Sequence, residues 1–218
     1  MSNEKLNNCD TIFVDCFSTI IFRNTKRKDV FKQWAQKLSR IYKIDWKKFY
    51  KSYKKINFKL CFKKLFTSFT LQEKFEVVLK ALFTELVKED NQLNLQEFID
   101  TATDFYIQTE MDCFRVNQHM IDFLEEEKKK AKKIYLVSDF YCGSDIITKW
   151  FTNFKIEHIF DNIFSSSDFD KEKATTKLYK QLIKQLKLNP KNVIMYGDNL
   201  WSDVFMARAC GLQAKRIK

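Results

Sequence analysis

The sequence predicts an α/β protein, a doubly wound parallel sheet with an all-α segment inserted after its first strand. A short β-branched and aromatic run at 11–14 and apolar runs at 134–137 and 193–196 read as strands, with a weaker candidate at 162–164 and a last one at 213–217. From residue 117 on they alternate with helix-length stretches, as parallel β-α units do. Between residues 30 and 114 the apolar spacing is helical almost throughout. Three glycines and one proline in 218 residues are too few for the turns of most all-β designs.

The first strand ends at Asp15. In the helical block, Val30, Phe31, Trp34, Ala35, Leu38, Ile41 and Tyr42 share one face. Further helices are expected over 45–65, over 71–86 after Thr70, and over 94–114 with Asn94 as N-cap. Beyond them, helices are expected at 118–130, 143–151, 174–186 and 201–210, the last closed by Gly211. The economical organisation is an α/β core of residues 1–21 and 117–218, with residues 22–116 as a helical cap.

Hydrophobic residues make up 45% of the chain and aromatics 16%, which excludes wholesale disorder. The best apolar run, 12–22, is too short to span a bilayer and carries Asp15. The polar start, with Glu4 and Asp10, argues against a secretory signal. Six scattered cysteines lack metal or disulfide spacing, so reduced thiols and a cytoplasmic location are expected. His119 and His158 accompany no nucleophile motif, which leaves a Ser-His-Asp hydrolase unsupported.

The net charge is +11, and residues 43–64 hold nine lysines against one acid, Asp45. Helical spacing turns Trp46, Phe49, Tyr50 and Tyr53 inward and the lysines toward water. No nucleic-acid partner is therefore expected despite the basic cap. Nothing in the sequence specifies an oligomeric state.

Ligands of open parallel sheets bind beyond the carboxyl ends of the strands. Four polar clusters fall there: Asp15 to Thr19, Ser138-Asp139, Lys173, and Gly197-Asp198-Asn199 with Asp203 following. Each alone reads equally as a turn or cap; their joint placement points to a site.

These motifs resemble those of the haloacid dehalogenase-like (HAD-like) hydrolases. IFVDCFSTI matches a hydrophobic strand plus D-x-x-x-T, and IYLVSD a strand ending in Ser or Thr. KATTKLY places Lys173 six residues before Tyr179, and VIMYGDNLWSD matches G-D-x-x-x-x-D. More narrowly, FVDCFSTIIFR and the GDNLWSDVFMARACG segment are similar to HAD-like proteins associated with bacterial surface-polysaccharide loci. Ser18 stands where that subgroup often has Asp.

The resemblance implies a Mg²⁺-dependent phosphatase acting on a small phosphorylated metabolite, such as a sugar or polyol phosphate. Asp15 would be the nucleophile, forming an aspartyl-phosphate. Asp15, Asp198, Asp203 and the Phe17 carbonyl would hold the metal. Lys173 and Ser138 would serve catalysis, and Phe17, Ser18, Thr19, Ser138, Asp139 and Lys173 would line the substrate. A cation fits the physics, since a carboxylate otherwise repels a dianionic phosphate. One departure matters: the usual general-acid aspartate is replaced by Phe17. That keeps open a weakly active or inactive binding module, and a C–halogen hydrolase, whose leaving group needs no proton.

Overall fold

The computed structural model describes residues 9–63, 71–86, 94–140 and 142–217. The chain divides into two compact units, one of residues up to Phe22 together with those from Arg115 onward, the other Arg23–Phe114. The strands are β1 (Thr11–Val14), β2 (Ile21–Arg23), β3 (Phe114–Val116), β4 (Lys133–Ser138), β5 (Asn162–Ser165), β6 (Val193–Gly197) and β7 (Gln213–Arg216).

Five strands form one sheet in the order β5-β4-β1-β6-β7, with every pairing parallel. In β1, Ile12 pairs with Ile134 on one side and Ile194 on the other. All four β1 residues are buried, as a central strand covered on both faces requires. Phe13 joins Leu178, Tyr179, Met195 and Ala207 in one core, while Ile12 and Val14 point the other way and are equally buried. The chain winds from β1 through β4 to β5 in one direction, then crosses to β6 and β7. The order reverses at β1, so a crevice forms at its carboxyl end, where Asp15 lies.

The helical unit contains α1 (Arg27–Tyr42), α2 (Trp46–Lys63), α3 (Leu71–Leu86) and α4 (Leu95–Asp112). Trp34 is its centre: the indole N–H donates to Ala102 O at 2.8 Å, and the ring meets Phe49, Tyr53 and Tyr106 edge-on. Val30, Phe31, Ala35 and Leu38 are buried with it, whereas Ile41, expected on the same face, is 49% exposed. Asn94 caps α4 by accepting from the N–H of Gln96 and Glu97. Thr70 lies outside the described residues. Buried Glu110 accepts two hydrogen bonds from Arg23, at 2.8 and 3.2 Å, and one from the Tyr106 hydroxyl.

The core unit adds α5 (Gln118–Lys129), α6 (Ser144–Asn153), α7 (Ser166–Phe169), α8 (Lys177–Gln185) and α9 (Met206–Ala209). Two expected helices are subdivided. A 3-10 turn, Lys173–Thr175, precedes α8, separated from it by Thr176 at φ 64°. A π-type turn, Leu200–Phe205, precedes α9. Gly211, at φ 84°, supplies the left-handed position that ends the latter segment. The three-residue strands β2 and β3, which pair with each other, were not anticipated; they are too short to show alternation. No helix among the described residues is long and apolar enough to cross a membrane.

Candidate active site

The site begins where β1 stops. Asp15 continues the ladder by donating its N–H to Tyr196 O at 2.8 Å, and the chain then turns sharply. Ile20 and Ile21 both donate to Cys16 O, and Ser18, at φ 59°, donates its N–H to Ile21 O. Asn117 clasps this turn, its amide donating to Thr19 O and its backbone N–H to Ile20 O, both at 2.8 Å. Asp15 is thus presented by a rigid loop at the sheet's switch point.

From β6, Gly197-Asp198 approaches alongside. The Asn199 side chain caps the following turn by accepting from Trp201 and Ser202 N–H. That turn brings Asp203 back, where its Oδ2 accepts from Asn199 N–H at 3.0 Å. One carboxylate oxygen each from Asp15, Asp198 and Asp203 lies within 4.8 Å of the others. Lys173, 1% exposed, bridges two of them, donating to Asp15 Oδ1 at 2.5 Å and Asp203 Oδ1 at 2.7 Å.

Two further bonds fix the surroundings of Lys173. Its backbone N–H donates to Asp139 Oδ1 at 2.8 Å, so the residue after Ser138 fixes the start of the 3-10 turn. The Tyr179 hydroxyl donates to Ser202 O at 3.0 Å, tying α8 to the turn that carries Asp203.

Electrostatics follow from burial. Desolvation, reinforced by Asp203 and Asp198, pushes the Asp15 carboxyl up to about 7 against the pull of Lys173. Burial opposes the charge on Lys173, but Asp15 and Asp203 outweigh it and hold the ammonium protonated well above its ordinary value. Burial likewise raises Asp139 and Asp198. Three carboxylates against one ammonium leave two negative charges when all are ionised. An all-oxygen donor set with that surplus suits a hard divalent cation. Two buried hydroxyls, Ser138 Oγ and Thr19 Oγ1, have no hydrogen-bond partner among the described residues and could serve a ligand.

The structure therefore brings together Asp15, Lys173, Asp198 and Asp203, with Asp139 on the lysine's backbone. The side chains of Phe17 and Ser18 lie outside that cluster. Phe17 packs against Phe140 and Trp150, with ring centroids 4.9 and 6.3 Å away, while Ser18 is exposed. Asn117, Tyr179 and Ser202 were not singled out as positioning groups. Ser166 was also missed; its hydroxyl donates to Phe140 O and accepts from Phe140 N–H, both at 3.1 Å, bracing the loop after Asp139. One signal was available nearby: Ser165-x-x-Asp168 has capping-box spacing, and the box forms.

Comparisons with known proteins agree with this geometry. The family model for haloacid dehalogenase-like hydrolases matches residues 9–211. Among solved structures, the chain is similar to 2-haloacid dehalogenase from Pseudomonas syringae pv. Tomato DC3000, with a TM-score of 0.70 at 14% identity, covering 94% of this chain and 85% of that one. It is also similar to the magnesium-bound HAD-hydrolase YfnB of Bacillus subtilis, with a TM-score of 0.61 at 17% identity and coverage of 95% and 86%. A HAD phosphatase from Thermococcus onnurineus gives a TM-score of 0.59 at 18% identity, with coverage of 96% and 86%. No curated protein matches the chain significantly. At such identities the likeness shows the fold alone. The family model, spanning nearly the whole chain and all four strand-end motifs, shows that it belongs to the haloacid dehalogenase-like hydrolases.

Proposed function

We propose that this chain is a magnesium-dependent phosphatase that hydrolyses a small phosphorylated metabolite through a phosphoryl group carried on Asp15. The observation that carries the reading is the convergence of Asp15, Asp198 and Asp203 within 4.8 Å. A carboxylate displacement that needs no metal has no use for two further acids at its rim.

In this reading Asp15, Asp198, Asp203 and the Phe17 carbonyl hold Mg²⁺. The ion supplies positive charge that offsets repulsion between nucleophile and phosphate. Lys173 keeps Asp15 oriented through Oδ1, and the other carboxylate oxygen attacks phosphorus as the leaving-group oxygen departs. Water then cleaves the acyl-phosphate and regenerates the carboxylate. Ser138 and Thr19 turn their hydroxyls to the phosphoryl oxygens, and Lys173 adds charge. Asp139, raised by burial, is the candidate proton donor that Phe17 cannot be. Residues 23–114 act as a cap that selects the substrate. The reduced cysteines expected of a cytoplasmic setting include Cys9, Cys113 and Cys210, which form no disulfide among the described residues.

A second reading, C–halogen hydrolysis, is favoured by one observation. The apolar wall of Phe17, Phe140 and Trp150 replaces an acid, and a departing halide needs no proton. The deciding experiment is a phosphate-release panel led by sugar and polyol phosphates, with and without Mg²⁺, on the unmodified protein and Asp15→Asn. Metal-dependent release abolished by the substitution supports the phosphatase. Halide release from 2-haloacids in the presence of chelator supports the second reading. Measurable Mg²⁺ binding with silence in both assays identifies a binding module.

A further inference from the structure

Much of this protein's net positive charge lies on α2 and the residues beside it. Residues 43–64 carry nine lysines and one aspartate, a net +8 of the chain's +11. The Asp45 carboxylate caps α2 by accepting from Lys47 and Lys48 N–H, at 2.6 and 3.1 Å. The opposite face of α2 is sealed, with Phe49 and Tyr53 buried and the Ser52 hydroxyl donating to Glu85 at 2.7 Å.

The outward face is uniform. Lys47, Lys48, Lys51, Lys54, Lys55 and Lys59 are all exposed, and none forms an ion pair among the described residues. At 100° per residue they occupy a single arc, and Phe58 falls inside it, 71% exposed. Charge repulsion along such an arc is unfavourable, and so is an apolar ring left in water. Lys47 to Lys59 span about 18 Å of helix axis at 1.5 Å per residue.

We propose that this face of α2 is a docking surface for an anionic lipid bilayer. A flat layer of acidic headgroups engages all the lysines of a straight helix at once, and the headgroup–acyl boundary accepts a phenyl ring among them. A nucleic-acid duplex admits a phenyl ring between its bases only by unstacking a base step, a cost the headgroup–acyl boundary does not impose, which is why the bilayer is the better match. The surface lies within the helical unit, and the proposal is independent of the chemistry assigned to Asp15.

The test is co-sedimentation of the full chain with phosphatidylcholine vesicles, with and without phosphatidylserine. Retention is expected only on the acidic vesicles and should fall steeply with salt. Neutralising Lys47, Lys51 and Lys54 together to Gln, which keeps helix propensity, should reduce partitioning about a hundred-fold. Phe58→Ser should weaken it further while leaving the far-UV circular dichroism unchanged. Equal retention on neutral vesicles, no retention at low ionic strength, or variants that sediment like the unmodified protein overturn the proposal. So does tight retention on RNA homopolymers that ignores Phe58→Ser.

Discussion

Gly197 and Asp203 pack so closely that a methyl group at position 197 would stand 2.7 Å from the Asp203 β-carbon, with the carboxylate closer still. No side chain fits there without moving the acid that Lys173 and Asn199 hold. Gly197→Ala is expected to cost about 1–3 kcal/mol of stability through overpacking. It should also weaken Mg²⁺ affinity at least ten-fold. Chemical denaturation and a metal titration of the folded variant check the two effects separately.

Lys173→Met removes the cation shared by Asp15 and Asp203, two carboxylates that are 8% and 1% exposed. Breaking a buried pair from one side costs about 3–5 kcal/mol. A divalent ion bound by the remaining acids offsets part of that, so the variant should gain more stability from Mg²⁺ than the unmodified protein does. Melting curves with Mg²⁺ and with chelator read the difference directly.

Phe17→Asp introduces an ionisable group two residues after Asp15, the proposed nucleophile. If departure of an alkoxide limits turnover, alkyl phosphates should be hydrolysed about a hundred-fold faster. Aryl phosphates, whose leaving groups need less help, should change little. A plot of rate against leaving-group pKa should flatten in the variant.

Asp161 ties β4 to the segment leading into β5. Its carboxylate accepts from Ile134 N–H at 2.8 Å and from Lys133 at 3.1 Å, while its own N–H donates to Ile134 O. Partial burial raises its pKa, but the bond from Ile134 and the charges of Lys133 and Lys128 prevail, leaving it below its ordinary 3.8. A depressed carboxylate contributes stability that is complete above the unfolded value and fades as pH drops through the folded one. Asp161→Asn should therefore cost about 1–2 kcal/mol at neutral pH and progressively less under strong acid. Denaturation midpoints measured from pH 7 down to pH 2 test the sign.

Much of this molecule was legible in the sequence because parallel strands buried on both faces leave uninterrupted apolar runs. Ile12-Phe13-Val14 and Val193 to Tyr196 are such runs, and the acids at their ends mark the rim. The helices of the inserted unit were legible through the spacing of Val30, Phe31, Trp34 and Leu38. What could not be read depends on partners distant in sequence. The clasp of Asn117 on Thr19 and the bond from Lys173 N–H to Asp139 join residues 98 and 34 positions apart. Thr176 adopts a left-handed conformation that nothing in a β-branched residue advertises. The Asp139 carboxylate, whatever it offers a substrate, also caps the turn that bears the lysine, a role no local pattern announces.

The paired strands β2 and β3 have a modular consequence. Asn24 N–H donates to Cys113 O at 2.8 Å, so the outgoing and returning chains run side by side at the point of insertion. Ends that are already adjacent can be rejoined by a tight hairpin. The helical segment is thus a detachable cassette, open to replacement by another of different length, while the turn after Asp15 keeps its anchorage to Asn117.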